Sequence, residues 1–153
     1  MTYLVVNPQW EAPNRIAVED KLPLIQGDPG YLSAQGFQVL QGWGAEARVI
    51  DPQSVNWGGL DKDYSPYRLR QRPGRWNALG RIKFMFPNRF SVYLHDTPQR
   101  ELFRQTERGF SSGCIRVARP LELADTLLQE ESVGRMAPAC GGSWRVEGSA
   151  RCR

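Results

Sequence analysis

A chain of 153 residues with 41% apolar and 24% charged residues has the size and balance of one folded domain that buries a core without disulfides or metals, which excludes the disordered class. It contains no run of 18 apolar residues, and "MTYLVVNPQW" has neither a basic leader nor an apolar h-region, so neither a membrane span nor a signal peptide is expected and the chain as written would be cytoplasmic. Net charge is +4 and 17 of the 20 basic residues are Arg, scattered without a block of like charges, a pattern that suits carboxylate recognition at a solvated surface and argues against a nucleic-acid partner.

In chain order, "TYLVVN" predicts a short strand stopped by Pro8. The stretch from Pro8 to Gly44 mixes Pro, Gly and Trp with brief helical patterns around Ile16, Leu22 and Leu24, and predicts an irregular lobe with one or two short helices. "VIDPQSVNW" predicts a strand and a turn at Asp51-Pro52, and "PYRLRQRPGRWNALG", rich in Arg, Pro and Gly, predicts a loop. "RIKFMF" and "FSVYLHD", joined by "PNR", predict a β-hairpin over roughly residues 81 to 95. His95 then ends a strand, with Tyr93 on its face and Leu94 on the other. "TPQRELFRQTE" predicts a short helix capped by Thr97 with Pro98 at its first position. "CIRV" predicts a strand, and Leu121, Ala124, Leu127 and Leu128 place an amphipathic helix over "RPLELADTLLQEE". From residue 131 to 153 no period persists, and an irregular tail is expected, read from a shifted or truncated frame.

The chemistry-bearing residues gather in "YLHDTPQRELFRQTERGFSSGCIRV", which holds the single histidine and Cys114. A thiol attacks as thiolate, favoured near backbone N–H groups or an imidazolium, and Gly113 lets successive N–H groups converge as an oxyanion site requires. His95 is the candidate acid–base partner. A buried structural cysteine and an ordinary loop histidine are the alternatives on spacing alone. The three cysteines have no short ligand pair, so no metal site is expected.

"HDT" followed, 19 positions after its His, by the Cys of "SSGCIRV" resembles the signature of the L,D-transpeptidase catalytic domain, the cysteine enzymes of bacterial cell-wall cross-linking. Upstream, "QRPGRWNALGRIKFMFPNRFSVYLHDTP" is similar to the segment before that family's histidine. "DPGYLSAQGFQVL" with "VIDPQSVNW" is similar to the capping insert of its larger Gram-negative periplasmic members. The resemblance implies a mainly β, α+β fold with short helices, a transpeptidase-type β-sandwich whose N-terminal strands are missing. It divides the chain into a partial catalytic domain over 1–130, with a capping insert at about 10–75 and a catalytic core at 76–130.

It also implies Cys114 as nucleophile, His95 as acid–base, Ser112, Gly113 and Cys114 as the oxyanion loop, Arg116 as loop brace or holder of a substrate carboxylate, and Tyr93 as a lining residue. The implied reaction is 3→3 cross-linking of peptidoglycan stem peptides through a thioester that releases D-alanine, with a tetrapeptide donor, a diaminopimelate amine acceptor, no cofactor, carbapenem sensitivity and a cell-envelope or periplasmic location. An L,D-carboxypeptidase and an inactive peptidoglycan-binding remnant remain the alternatives. Many family members carry His just before the Gly-Cys; here that position is Ser112, as in the larger periplasmic members, and a backbone donor survives the change.

Overall fold

The computed structural model describes residues 1–28, 30–60, 65–110, 113–134 and 145–148, with backbone alone for 130–134 and 145–148. The chain forms two compact units, one from Met1–Pro8 with Pro73–Arg153 and one from Gln9–Arg72.

The first unit is built on β1 (Tyr3–Val6), β6 (Ile82–Met85), β7 (Leu94–His95), β8 (Ile115–Arg116) and β9 (Arg145–Gly148), in the order β8-β7-β6-β1-β9. β1 runs antiparallel to β6 and β6 to β7, whereas β8 lies parallel to β7 and β9 parallel to β1. Alternation sorts the side chains: Leu4, Ile82 and Phe84 are buried in one core, and Leu94 packs against it. Helix α4 (Pro120–Gly134) supplies Ala124, Leu123, Leu127 and Leu128 to that core. Leu121, expected on the apolar stripe, is exposed, because the stripe that meets the sheet is centred on Leu123 and Ala124 instead. The other parity, Val5, Lys83, His95 and Arg116, forms one row across four strands on the opposite face.

The hairpin predicted over 81 to 95 exists, but as a different object. Only Lys83↔His95 and Phe84↔Leu94 pair, and residues 86–93 form a loop instead of a tight reversal. Asn88 holds it: its Nδ2 donates to the carbonyls of Phe86 (3.0 Å) and Val92 (2.7 Å), and its Oδ1 accepts from the N–H groups of Phe90 and Val92 (3.0 Å each). These side-chain bonds replace the ladder that "FSV" would have made. The segment after His95 is a 3-10 helix, Arg100–Arg104, and Thr97 caps the turn before it by accepting from the Gln99 N–H (3.2 Å).

The second unit has a four-stranded antiparallel sheet, β2 (Trp10–Glu11), β5 (Tyr67–Gln71), β3 (Phe37–Gln41) and β4 (Arg48–Ile50), ordered β2-β5-β3-β4. Helical segments Asn14–Ile16 (α1), Leu22–Gly27 (α2) and Tyr31–Ala34 (α3) flank it, the first two joined by a π-helical turn. Ile25, Leu32, Phe37, Val39, Val55 and Leu69 form its core. Two expectations are overturned here. The lobe expected to be irregular contains β3, and the segment read as a loop contains β5, paired on both sides. In β5 Leu69 and Gln71 point inward, while Arg68 and Arg70 reach Glu11 on the neighbouring strand at 2.6 and 3.1 Å. The interleaved arginines masked a half-buried strand whose polar side is held by cross-strand ion pairs.

The region expected to be an irregular tail contributes the end of α4 and the backbone of β9; its other residues lie outside those described.

Candidate active site

Strand register brings the expected residues together. β7 places His95 beside Lys83 of β6 and Arg116 of β8. Residues two positions away share the same face, so Tyr93 and Cys114 flank His95 one step along the sheet. The Tyr93 ring meets the imidazole edge-on with centroids 5.8 Å apart, and its hydroxyl hydrogen-bonds the Cys114 sulfur. Gly113 has φ of +131°, a conformation that side chains rarely adopt, and a Cβ added there would meet nothing within 4 Å; backbone conformation, not space, requires glycine at this position. Ser112 lies outside the described residues.

His95 is buried and its Nδ1 faces the backbone carbonyl of Asp96. A carbonyl only accepts, so Nδ1 carries the hydrogen and Nε2 is left as the basic nitrogen. Burial lowers the His95 pKa below its ordinary 6.5; the Asp96 carbonyl and then the Asp96 charge partly oppose this, while Arg116 and, least of the five, Lys83 push it further down. The imidazole is therefore neutral at physiological pH, as a base must be.

The carboxylate of Asp96 is turned to the opposite side. Its Oδ2 accepts from the Arg81 N–H (2.9 Å), and its Oδ1 from the Thr97 N–H (2.8 Å) and Arg100 Nη2 (2.7 Å). Arg100 Nη1 continues to the Ala118 carbonyl at 2.8 Å, tying the His95 strand end to the segment that follows β8. Gly80 makes room for this carboxylate: a Cβ there would come within 2.5 Å of it, at φ of +61°.

Cys114 is half-buried and lines a groove of 290 Å³. Leu102, Phe103, Phe110 and Ile115 give the groove apolar walls, and Arg108 and Arg116 give it positive charge. Arg116 Nη2 donates to the Phe110 carbonyl at 3.3 Å, whereas Nη1 is buried and has no hydrogen-bond partner among the described residues. A buried guanidinium nitrogen left unsatisfied is costly, and an anionic ligand in the groove would satisfy it.

Three residues of this arrangement escape sequence reasoning. Asp96 and Arg100 form an i,i+4 pair whose signal was present in "HDTPQR", and Lys83 required the β6–β7 register. Burial lowers the Lys83 pKa from its ordinary 10.5, and the negative charge that Cys114 carries when ionised opposes that shift. The Tyr93 pKa is raised, first by burial, then by the charge of Cys114 when ionised and by the hydrogen bond to its sulfur. No group of three or more His, Cys, Asp or Glu able to hold a metal occurs among the described residues.

The chain is 43% identical over 130 residues to a provisionally named L,D-transpeptidase of Haemophilus influenzae (strain ATCC 51907 / DSM 11121 / KW20 / Rd). The match covers 85% of this chain and 26% of that protein, so the chain spans about a quarter of its relative's length. The family model of the L,D-transpeptidase catalytic domain, YkuD, matches residues 1–136. A mainly β fold and this match across most of its length agree: the chain belongs to the L,D-transpeptidase catalytic-domain family.

Proposed function

We propose that this chain carries the active site of a peptidoglycan L,D-transpeptidase that forms 3→3 cross-links by cysteine acyl transfer. The observation that carries the reading is one sheet face bearing Cys114, a neutral His95 with its tautomer set by the Asp96 carbonyl, and an Arg116 donor without a partner among the described residues, beside a groove. His95 Nε2 takes the Cys114 thiol proton, and the thiolate attacks the carbonyl joining the third stem residue to the terminal D-alanine. The tetrahedral oxyanion is met by the backbone N–H groups around Gly113. Collapse breaks the C–N bond, the departing amine of D-alanine takes the imidazolium proton, and a thioester remains. The side-chain amine of a diaminopimelate on a second stem then attacks, gives its excess proton to His95, and the Cys114 thiol is restored. Arg116 Nη1 is assigned the donor stem's carboxylate, the anion its unsatisfied hydrogen-bonding capacity suits. The apolar walls exclude water from the thioester, which favours an amine over hydrolysis.

Intact-mass spectrometry of the protein incubated with a carbapenem tests the chemistry. An adduct of one drug mass, absent from Cys114→Ala, is expected; folded protein that gains no mass would overturn the reading. With stem tetrapeptide as sole substrate, dimer formation accompanying D-alanine release is expected, and D-alanine release without dimer would reassign the chain as an L,D-carboxypeptidase.

A further inference from the structure

We propose that Lys83 is a positioning residue of this site, its ammonium group reinforcing the burial that keeps His95 neutral at rest and sharpening the acidity of the imidazolium formed during the reaction. This role deepens the transpeptidase reading and rests on it.

Lys83 is the cross-strand partner of His95, and directly opposed residues on antiparallel strands hold their Cβ atoms about 5 Å apart on one face. Its Nζ lies over the Tyr93 ring, 3.9 Å from the centroid. That puts the ammonium over the face of the ring within cation–π range, and Tyr93 in turn touches both His95 and Cys114. The side chain is therefore fixed, half-buried, in the wall of the site.

The titratable and charged groups around His95 are Lys83 from β6, Tyr93 and Asp96 from the segment that carries it, and Arg116 from β8, with Cys114 against Tyr93. The Asp96 carboxylate is committed to two backbone N–H groups and Arg100, and it sits on the other side of the strand. On the face of the row itself the imidazole lies between two cations, Lys83 and Arg116, with no carboxylate between them among the described residues. Both cations oppose an imidazolium, adding to the burial that is the largest cause of the lowered His95 pKa and working against the Asp96 carbonyl and charge.

A base with a lowered pKa is a weak acceptor for a neutral thiol, but this site creates its own counter-charge. When the proton crosses to His95, the Cys114 thiolate forms near enough to Lys83 for its charge to oppose the lowering of the lysine pKa by burial. The same ammonium that opposes the imidazolium thus favours the thiolate, and once acylation discharges the sulfur only the opposition remains. The imidazolium is then at its most acidic when the amine of the leaving group needs the proton.

His95 is the single histidine of the chain, so its ring resonances report without assignment ambiguity. NMR titration of the parent, Lys83→Met and Lys83→Arg tests the inference. The parent is expected to titrate below 6.5, Lys83→Met about 0.5–1 unit higher than the parent, and Lys83→Arg with the parent. In parallel, the acidic limb of Cys114 alkylation by iodoacetamide should move up in Lys83→Met and be rescued in Lys83→Arg. A folded Lys83→Met whose histidine midpoint is unmoved, or a Lys83→Arg that shifts as far as the Met variant, overturns the role.

Should Lys83→Met not fold, the parent alone suffices. Of its three lysines, reductively ¹³C-dimethylated so that charge is kept, one resonance is expected to titrate below the others and to move when Cys114 is alkylated; three resonances indifferent to alkylation refute the proposal. Failure of the transpeptidase reading would remove the carbapenem adduct and leave the histidine titration intact, whereas failure of the Lys83 role would leave the adduct and an unmoved midpoint.

Discussion

At the scale of single residues, the candidate site depends on groups that do not touch the reaction. His95 presents Nε2 because its Nδ1 is held by the Asp96 carbonyl, and that carbonyl is held because the Asp96 side chain, 2% exposed, is bound by Arg81, Thr97 and Arg100. Gly80 is where this arrangement is most vulnerable. Gly80→Ala puts a Cβ into the carboxylate at a left-handed φ, which combines a backbone cost and an overpacking cost of about 1–3 kcal/mol each. Urea unfolding should show a loss of about 2–6 kcal/mol, with acylation by carbapenem slowed as His95 loses its orientation. An unchanged midpoint would mean that the loop carrying Gly80 adapts at no cost to Asp96. The candidate His–Cys pair was legible at this scale because "HDT" and, 19 positions after its His, the Cys of "SSGCIRV" resemble the family's signature, where spacing alone left an ordinary histidine and a structural cysteine open. Lys83 was not, since "RIKFMF" alone says that Lys83 alternates with its apolar neighbours but not which residue it opposes.

At the scale of elements, β6 and α4 divide the labour between stability and chemistry. Ile82 and Phe84 face the core completed by α4, and Lys83 between them faces the site. Phe84 is 0% exposed, so Phe84→Ala leaves a cavity under α4 that the neighbours fill only in part. A loss of about 3–5 kcal/mol is expected in denaturant titration, a large fraction of a domain's stability of about 5–15 kcal/mol. A cost below about 1 kcal/mol would show that α4 collapses onto the sheet. Helical periodicity announced α4 and strand alternation announced β6. β5 went unread because its outward positions are arginines neutralised by Glu11, a partner more than fifty positions away in the chain.

At the scale of the whole molecule, the single histidine couples stability to pH. Its folded pKa is below its ordinary 6.5, so between those two values the unfolded chain binds a proton that the native state does not. The contribution is fully present above 6.5 and is lost as pH falls from there through the folded value. Melting temperature should therefore drop on acidification across that window, and His95→Gln should lose that part of the dependence. A parent and variant with parallel pH profiles would show that His95 makes no such contribution. Among the described residues no helix is long and apolar enough to cross a membrane.

The sequence by itself determined the family, the candidate Cys114–His95 couple, the glycine that the loop needs at Gly113, the parity that puts Tyr93 with His95, and the helix that closes one core. These are local properties: a motif, an alternation, a periodicity, a residue without Cβ. Only the tertiary structure decided that Lys83 and Arg116 flank the imidazole, that the Asp96 carboxylate turns away from it, that Asn88 replaces a tight turn with a loop, and that an arginine-rich segment is a paired strand. The physical reason is register. A strand's sequence fixes which side chains share a face, but which strand lies beside it, and in what alignment, is set by contacts between residues far apart in the chain.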